Sequence, residues 1–366
     1  MRKTYYMRLI LSVVAFFMTA LFFCFCEAAE PVLIAKIEMV NSTFKAKDSI
    51  RIKYTLNNVS EKAMHVLKWN TPLEGFYNNI FKIMKGGKRI LYIGPMIKRA
   101  KAGPDDYVTL KPGGSVSAVL DLAEAYAIYE AGEYSVHLAY GILDVRWANG
   151  KKLEKNEVFT PAEVQSSGVT FSLLEDRQSL APREQEYNAQ AIPVFKNCSN
   201  DQMQTLNGAL SSAKWLSMVA ETSIRVTPMD ICPGARRCAT WFGTYTADRY
   251  KKVWDDFIKI RDAVENKTMT FNCDCTKNVY AYVFPNVPYE IYLCKAFWPA
   301  PMTGTDSKAG TIIHETSHFY AVAGTQDYAY GQINCQNLAN NDPGKAVDNA
   351  DSHEYFAEDT PPIPMP

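Results

Sequence analysis

The chain has 366 residues, of which 47% are hydrophobic, so it is long enough to form two domains with sizeable cores. Its 39 lysine and arginine residues balance 39 aspartate and glutamate residues, which gives a formal net charge of zero. This balance argues against nucleic acid or an anionic membrane surface as the main partner.

Residues 1–28 have the pattern of a secretory signal peptide. Arg2, Lys3 and Arg8 give a positive start, and an apolar run over residues 9–26 leads to small residues, with cleavage expected near Ala28. The run is long for a signal, so an uncleaved membrane anchor is the alternative. We expect a secreted protein without stable membrane association once the signal is removed, with periplasmic transit if the cell is bacterial.

Residues 30–175 are predicted to form an all-β domain. The segments 49–56 and 133–140 alternate polar and apolar residues, as half-buried strands do, and glycine- or asparagine-rich turns separate such segments. Short strands separated by such turns indicate an immunoglobulin-like sandwich. This domain contains no cysteine and no ligand cluster. We expect it to be either a propeptide or an accessory binding module. The polar residues 176–192 are predicted to be a linker open to proteolytic processing.

From residue 193 the pattern becomes that of helices. Ser199 is placed to cap a helix that extends to about Thr222, and a second helix is predicted over 247–264. A short hairpin is predicted from the segments 279–284 and 289–293. The expected fold is therefore α+β, with the sandwich followed by a mostly helical, zincin-type catalytic domain over 193–366 that carries a small antiparallel sheet.

Cysteine usage points to an oxidising compartment. Two of the nine cysteines lie in the signal segment, and an exported chain is expected to form disulfides from the others. Cys232 and Cys238 are close enough in sequence to close a small loop of their own. Seven is an odd number, so at least one thiol is free or pairs outside the chain. The seven are Cys198, Cys232, Cys238, Cys273, Cys275, Cys294 and Cys335.

The motif His314-Glu315-x-x-His318 is the strongest functional signal. On a helix the two histidines share one face about one turn apart, where both can bind a single zinc ion. Gly324 allows the chain to leave the helix and double back, which brings Asp327 within reach as a third ligand. One Zn²⁺ per chain is expected, with a coordination position left open for water.

The residues around these ligands suggest how a peptide bond would be attacked. Glu315 lies beside the first histidine and is the candidate general base that takes a proton from the attacking water. Tyr330 is the candidate donor to the oxyanion that develops in the transition state. The alternative is a solvated amphipathic helix with two satisfied histidines, which the apolar side formed by Ile312 and Ile313 disfavours.

These residues resemble the aspzincin peptidases, the deuterolysin family, whose signature is H-E-x-x-H followed by G-T-x-D-x-x-Y-G. The resemblance implies that the two histidines and Asp327 bind zinc, that Glu315 is the base and that Tyr330 stabilises the transition state. Every fixed position is present, namely His314, Glu315, His318, Gly324, Thr325, Asp327, Tyr330 and Gly331.

Within this family the chain is most similar to the peptidyl-Lys metalloendopeptidases, over about residues 195–360. Members cleave on the amino side of lysine, which implies Asp351 and Glu354 as the substrate-binding residues. Their spacing puts both carboxylates on one helical face, where they can hold one ammonium group; the alternative is a solvated acidic face. In related zincins a peptide lies along an edge strand, which suggests residues 289–293 for that role.

The resemblance further implies the disulfides Cys198–Cys273 and Cys275–Cys294, with Cys335 left over. The sequence thus predicts a secreted zinc endopeptidase that acts on lysine-containing proteins or peptides, latent if the sandwich is a propeptide. A deuterolysin-like enzyme of broader specificity and a non-catalytic binding protein remain as alternatives.

Overall fold

The computed structural model describes residues 32–150, 158–178, 191–225 and 233–358. Outside these ranges lie the predicted signal peptide, most of the predicted linker and Cys232.

Within the described ranges the chain folds as an α+β protein. The strands are β1 (Leu33–Met39), β2 (Thr43–Phe44), β3 (Arg51–Asn58), β4 (Met64–Leu67), β5 (Phe81–Lys85), β6 (Lys88–Arg89), β7 (Met96–Lys98), β8 (Tyr107–Leu110), β9 (Ser115–Asp121), β10 (Gly132–Leu138), β11 (Val145–Trp147), β12 (Val169–Leu173), β13 (Val194–Lys196), β14 (Thr270–Asn272), β15 (Ala281–Val283) and β16 (Glu290–Leu293).

The helices all follow the N-terminal strands in the chain. They are α1 (Asn200–Arg225), α2 (Pro233–Phe242), α3 (Ala247–Asn266), α4 (Lys308–His318), α5 (Gln332–Asn341), α6 (Pro343–Ala346) and α7 (Ala350–Glu358). No helix in the described ranges is long and apolar enough to cross a lipid bilayer.

The first half of the chain is rich in strands, as the polar–apolar alternation predicts. The burial of β3 alternates along its length, and its two neighbours β1 and β9 both pair with it antiparallel. A five-stranded sheet has the order β2-β12-β10-β5-β6 and includes the parallel pair of β2 and β12, while β11-β4-β8 form a further sheet. The strands are thus divided among three sheets rather than two, and the predicted immunoglobulin-like sandwich is not confirmed.

The sheet of the C-terminal half has the order β13-β14-β16-β15-β7. Its β13–β14 and β14–β16 pairs are parallel, whereas the β15–β16 and β7–β15 pairs are antiparallel. The predicted hairpin of β15 and β16 is confirmed, but the prediction of an antiparallel sheet is wrong because β13 and β14 enter from distant parts of the chain. This half contributes the four strands β13 to β16 to that sheet and is less helical than predicted.

The strand that was expected to form the substrate-binding edge of this sheet is not at its edge. Strand β16 is internal, so residues 289–293 offer no edge to a peptide. It is the outer edge of β15 whose backbone N–H and C=O groups are open to pairing, and β7 from the N-terminal half pairs with this edge. The three residues of β7 are all buried, which is unusual for an edge strand.

Helix α4 lies at the centre of the C-terminal half. It packs against α1, α3 and α7 and against the strands β7, β15 and β16. All of its residues are buried, including the polar ones. Because charged side chains are almost never fully buried unless they are paired, this helix marks a buried polar centre.

Two large hydrophobic clusters lie in the two halves of the chain, one within residues 33–173 and one within 206–357. A third and smaller cluster combines residues of both halves, with the Trp69 and Phe159 rings on one side and Tyr330 on the other. The N-terminal half therefore packs directly on a residue of the signature motif. The domain boundaries given by the sequence remain a prediction.

Two disulfides tie the C-terminal half together. Cys198, just before α1, is bonded to Cys273 after β14, and Cys275 is bonded to Cys294 after β16. Cys335 is a buried free thiol. The proposed Cys232–Cys238 pair remains a prediction because Cys232 lies outside the described residues.

We expect removal of each disulfide to lower the free energy of unfolding of the C-terminal half, and we expect the two losses to differ. The bonds close loops with sequence separations of 75 and 19 residues. In the chain-entropy model each contributes about 2–4 kcal/mol, and the longer loop contributes about 1 kcal/mol more. Urea unfolding of the C198S/C273S and C275S/C294S variants measures the difference, and equal midpoints would contradict the loop-length argument.

Candidate metal centre and acidic pocket

Helix α4 begins with a cap that fixes the position of the histidines. The Ser307 side chain accepts a hydrogen bond from the backbone N–H of Gly310 at 2.9 Å, as an N-cap serine does. Two turns further on, His314 and His318 point from the same helical face, and their Nε2 atoms are 3.1 Å apart. The helix thus brings two imidazole nitrogens to one point.

The chain then turns back and adds a carboxylate. Gly324 has a φ of 65°, in the left-handed region that glycine tolerates, and its N–H donates to the carbonyl of Phe319 at 3.1 Å. Asp327 returns to the histidines, with Oδ1 at 3.4 Å from the Nε2 of His314 and Oδ2 at 3.4 Å from the Nε2 of His318. The structure brings all three predicted ligands together.

The ligand loop is held in place from both halves of the chain. Asn70 and Asn78 donate side-chain hydrogen bonds to the backbone carbonyl of Asp327, at 2.8 and 3.0 Å. Asn349 accepts from the N–H groups of Tyr328 and Ala329, at 2.8 and 2.9 Å. The position of the Asp327 carboxylate therefore depends on the N-terminal half as well.

The outer nitrogen of each histidine has a partner of its own. The Nδ1 of His318 is 2.9 Å from the carbonyl oxygen of Thr325, so it carries the proton and leaves Nε2 with a free lone pair. The Nδ1 of His314 is 2.8 Å from Asp351 and 3.3 Å from Glu354, in contacts too bent for good hydrogen bonds. Both rings thus direct Nε2 towards Asp327.

A zinc ion fits this arrangement. The three ligand atoms are buried and close to one another, and both carboxylate oxygens of Asp327 lack a hydrogen-bond partner among the described residues. A tetrahedral ion with bonds of about 2.0–2.1 Å needs ligand atoms about 3.3 Å apart, close to the observed separations. Burial lowers the pKa of His314, but Asp327, Asp351 and Glu354 outweigh it and raise the pKa well above its usual value. This negative environment favours a cation.

Glu315 lies next to this centre and is fully buried. Both of its carboxylate oxygens lack a hydrogen-bond partner among the described residues. Burial raises the pKa of Glu315 to about 8, with a further contribution from Asp327, while the charge of His314 and the backbone N–H of Lys98 act in the opposite direction.

Tyr330 closes another side of the site. Its ring packs edge-on against Trp69, with centroids 5.6 Å apart, and its buried hydroxyl lacks a hydrogen-bond partner among the described residues. Burial and the charge of Asp327 raise the pKa of this hydroxyl well above its usual value, so it stays protonated and remains a donor. A small cavity of about 100 Å³ beside it is lined by Asp306, Asp351 and Arg99 among others.

Asp351 and Glu354 of α7 form an acidic pocket that is already filled. The ammonium of Lys98, at the end of β7, is 2.6 Å from Oε2 of Glu354 and 3.5 Å from Oδ1 of Asp351. The Lys98 side chain is 1% exposed. Burial alone would lower its pKa, but the surrounding carboxylates raise it well above its usual value, so this lysine is charged.

Asp306 is a third carboxylate of the pocket that the sequence analysis missed. Its Oδ1 is 3.4 Å from the Lys98 ammonium and accepts a hydrogen bond from the hydroxyl of Tyr355 at 2.9 Å. The ring of Tyr280 lies 5.1 Å from the same ammonium. The available signal was the position of Asp306 directly before the serine that caps the metal-binding helix.

Asp351 makes one hydrogen bond that Glu354 does not make. Its Oδ2 accepts from the backbone N–H of Gly331 at 2.8 Å. Both carboxylates approach the Nδ1 of His314, a candidate metal ligand, at 2.8 Å for Asp351 and 3.3 Å for Glu354. Glu354 makes the shorter contact with the ammonium.

Comparisons with known proteins agree on one family for this chain. The aspzincin family, described as lysine-specific metallo-endopeptidase, matches residues 233–358. The chain is 39% identical over 322 residues to an extracellular protease of Aeromonas hydrophila, covering 86% of this chain and 89% of that protein. It is 36% identical over 329 residues to a peptidyl-Lys metalloendopeptidase of Grifola frondosa, with 86% and 89% covered.

Two further relatives match a shorter part of the chain. A peptidyl-Lys metalloendopeptidase of Pleurotus ostreatus is 41% identical over 171 residues, which is 46% of this chain and 99% of that protein. The solved structure of a zinc peptidase from Grifola frondosa is 42% identical and covers 44% of this chain and 97% of its own, with a TM-score of 0.42.

Asp327→Ala is expected to abolish metal binding. The wild-type chain should carry about one zinc ion, and the variant close to none, because two imidazoles alone do not complete a stable site. Elemental analysis of the purified full chain measures this without reference to activity. Asp348→Ala is the matched control, since Asp348 is exposed and paired with Lys252. Equal zinc content in both variants would rule out Asp327 as a ligand.

Proposed function

The chain belongs to the aspzincin family of zinc metalloendopeptidases, and from this premise we propose that it cleaves peptide bonds on the amino side of lysine. The single observation that supports lysine selectivity most strongly is the occupied acidic pocket. A lysine side chain of the protein itself fills that pocket, with its ammonium in contact with Glu354 and Asp351. A substrate lysine is expected to make the same contacts.

The pocket suits lysine better than arginine for a physical reason. Three carboxylates converge on a single point, as the compact ammonium group requires, and the pocket is closed around it. The guanidinium of arginine is a wider planar fork that needs its partners side by side. A deuterolysin-like enzyme of broader specificity has no need for three carboxylates that converge on one ammonium group.

We assign the metal to His314, His318 and Asp327, with one zinc ion per chain. When bound there, zinc supplies Lewis acidity, which activates water and polarises a peptide carbonyl. The contacts of His318 with Thr325 and of His314 with Asp351 orient the two imidazole rings for this role.

The protein residues supply the proton transfers and the oxyanion donor. Glu315 takes the proton of the attacking water and passes it to the nitrogen of the leaving amine, since a buried carboxylate beside the metal site can accept a proton and then donate it. Tyr330 donates its hydroxyl proton in a hydrogen bond to the developing oxyanion. Its raised pKa keeps the proton on the hydroxyl.

We also propose that the protein is secreted. The related protein of Aeromonas hydrophila is named an extracellular protease. Residues 1–28 have the sequence pattern of a signal peptide, and disulfides such as those in the C-terminal half persist in oxidising compartments.

Glu315→Gln tests the assignment of the general base. The amide keeps the size of the side chain but cannot accept the proton, so kcat should fall by about 10²–10⁴-fold. Zinc content should remain that of the wild type, because Glu315 is not one of the proposed ligands. Hydrolysis of a lysine peptide and elemental analysis on the same sample measure both, and a variant with wild-type kcat refutes the assigned role.

Glu354→Gln is the cleaner test of lysine selectivity, because changing Asp351 also removes its hydrogen bond with the backbone N–H of Gly331. Loss of a buried charge partner amounts to about 3–5 kcal/mol, so kcat/KM for lysine peptides should fall by about 10²–10⁴-fold. Peptides without lysine should be affected little. Glu265→Gln, which removes a partly exposed charge paired with Arg261, is the control. An equal loss on all peptides would favour general damage over a specificity role.

A further inference from the structure

Strand β7 lies along the edge of β15 as an extended substrate would. The two strands are antiparallel, with Lys98 opposite Ala281 and Ile97 opposite Tyr282. The carbonyl of Lys98 accepts a hydrogen bond from the backbone N–H of Tyr280 at 3.0 Å. Addition of a strand to an open sheet edge is a general way to bind a peptide, with pockets for alternate side chains supplying specificity.

The position of Lys98 identifies a particular bond of β7. In cleavage on the amino side of lysine, the leaving atom is the backbone nitrogen of that lysine. The Lys98 side chain enters the acidic pocket, and β7 packs against α4, the helix that carries Glu315. The bond between Ile97 and Lys98 therefore corresponds to the bond that the enzyme would cut.

We propose that β7 is an intramolecular substrate mimic, and that the N-terminal half keeps the peptidase latent by holding Lys98 in the lysine pocket. This inference rests on the proposed lysine specificity, because it identifies Lys98 as the occupant of the same subsite. It assigns the pocket a third carboxylate, Asp306, and it assigns the N-terminal half an inhibitory role.

Other contacts of the N-terminal half close the site around β7. Asn70 and Asn78 bind the carbonyl of Asp327, and Trp69 packs on Tyr330. His314, Glu315, His318 and Asp327 all have 0% exposure in this arrangement. A peptide cannot reach these residues while the N-terminal half remains in place.

Charge explains why the inhibited state is stable. Without Lys98 the pocket would contain three carboxylates with no cation, and buried charges without a partner are strongly destabilising. Lys98 can therefore leave readily only when another cation takes its place, and a substrate lysine is such a cation.

The test measures hydrolysis of a lysine peptide by the intact full chain, with mass spectrometry before and after the assay to exclude processed protein. Intact wild type should be nearly inactive. Lys98→Met keeps the length of the side chain and removes its charge, and should raise the initial rate at least about tenfold by increasing the fraction of open molecules. Lys53→Met, on the exposed side of β3, is the matched control and should stay latent. Thermal unfolding checks that both variants fold.

A second measurement does not depend on the folding of a variant. Wild-type protein is activated by proteolysis, without separation of its fragments, and mixed with a synthetic peptide of residues 92–100, whose sole lysine is Lys98. This peptide should compete with the lysine substrate or be cut between Ile97 and Lys98, and its Lys98→Ala counterpart should do neither. A peptide that is inert in both respects overturns the proposal, as does an intact wild-type chain that is as active as the processed one.

The same assays separate this proposal from the proposed function. If Lys98→Met activates the intact chain equally towards peptides with and without lysine, latency through β7 is supported and the specificity assignment fails. If the processed enzyme selects lysine and a folded Lys98→Met chain is as latent as wild type, the specificity assignment is supported and the substrate-mimic proposal fails.

Discussion

The concentration of negative charge beside α4 is the constraint on which the rest of the structure depends. Asp327, Asp351, Glu354 and Glu315 lie buried around His314, and such charges are tolerated in a protein interior only when cations balance them. The geometry offers two places for a cation, one between the imidazoles and Asp327 and one at the ammonium of Lys98. In the proposed function, metal binding and lysine recognition therefore meet one and the same electrostatic requirement.

The two cation positions are connected through shared residues. Asp351 approaches the Nδ1 of His314 with one oxygen, and the same oxygen is 3.5 Å from the Lys98 ammonium. The Oε2 of Glu354 likewise lies 2.6 Å from the ammonium and 3.3 Å from the Nδ1 of His314. A charge that enters or leaves the pocket therefore changes the electrostatic environment of a candidate metal ligand.

Local motifs predict the centre of the site because their geometry is local. The four-residue spacing of His314 and His318, and the glycine that turns the chain towards Asp327, are properties of a single helix and its exit. The arrangement of the strands was less accessible, because sheet order depends on pairing between distant segments. Lys98 had no signal of its own: an isolated lysine in a short apolar strand is unremarkable until the strand pairs with β15, more than 180 residues later.

The antiparallel edge of β15 has a consequence for the kind of protein that the enzyme can digest. Only a chain that is fully stretched over several residues can form the ladder that β7 forms with it. Lysines within the helices of a compact target have their backbone groups engaged in bonds of their own. In the proposed binding mode, selectivity is therefore conformational as well as chemical, and it would direct the enzyme to loops, tails and denatured chains.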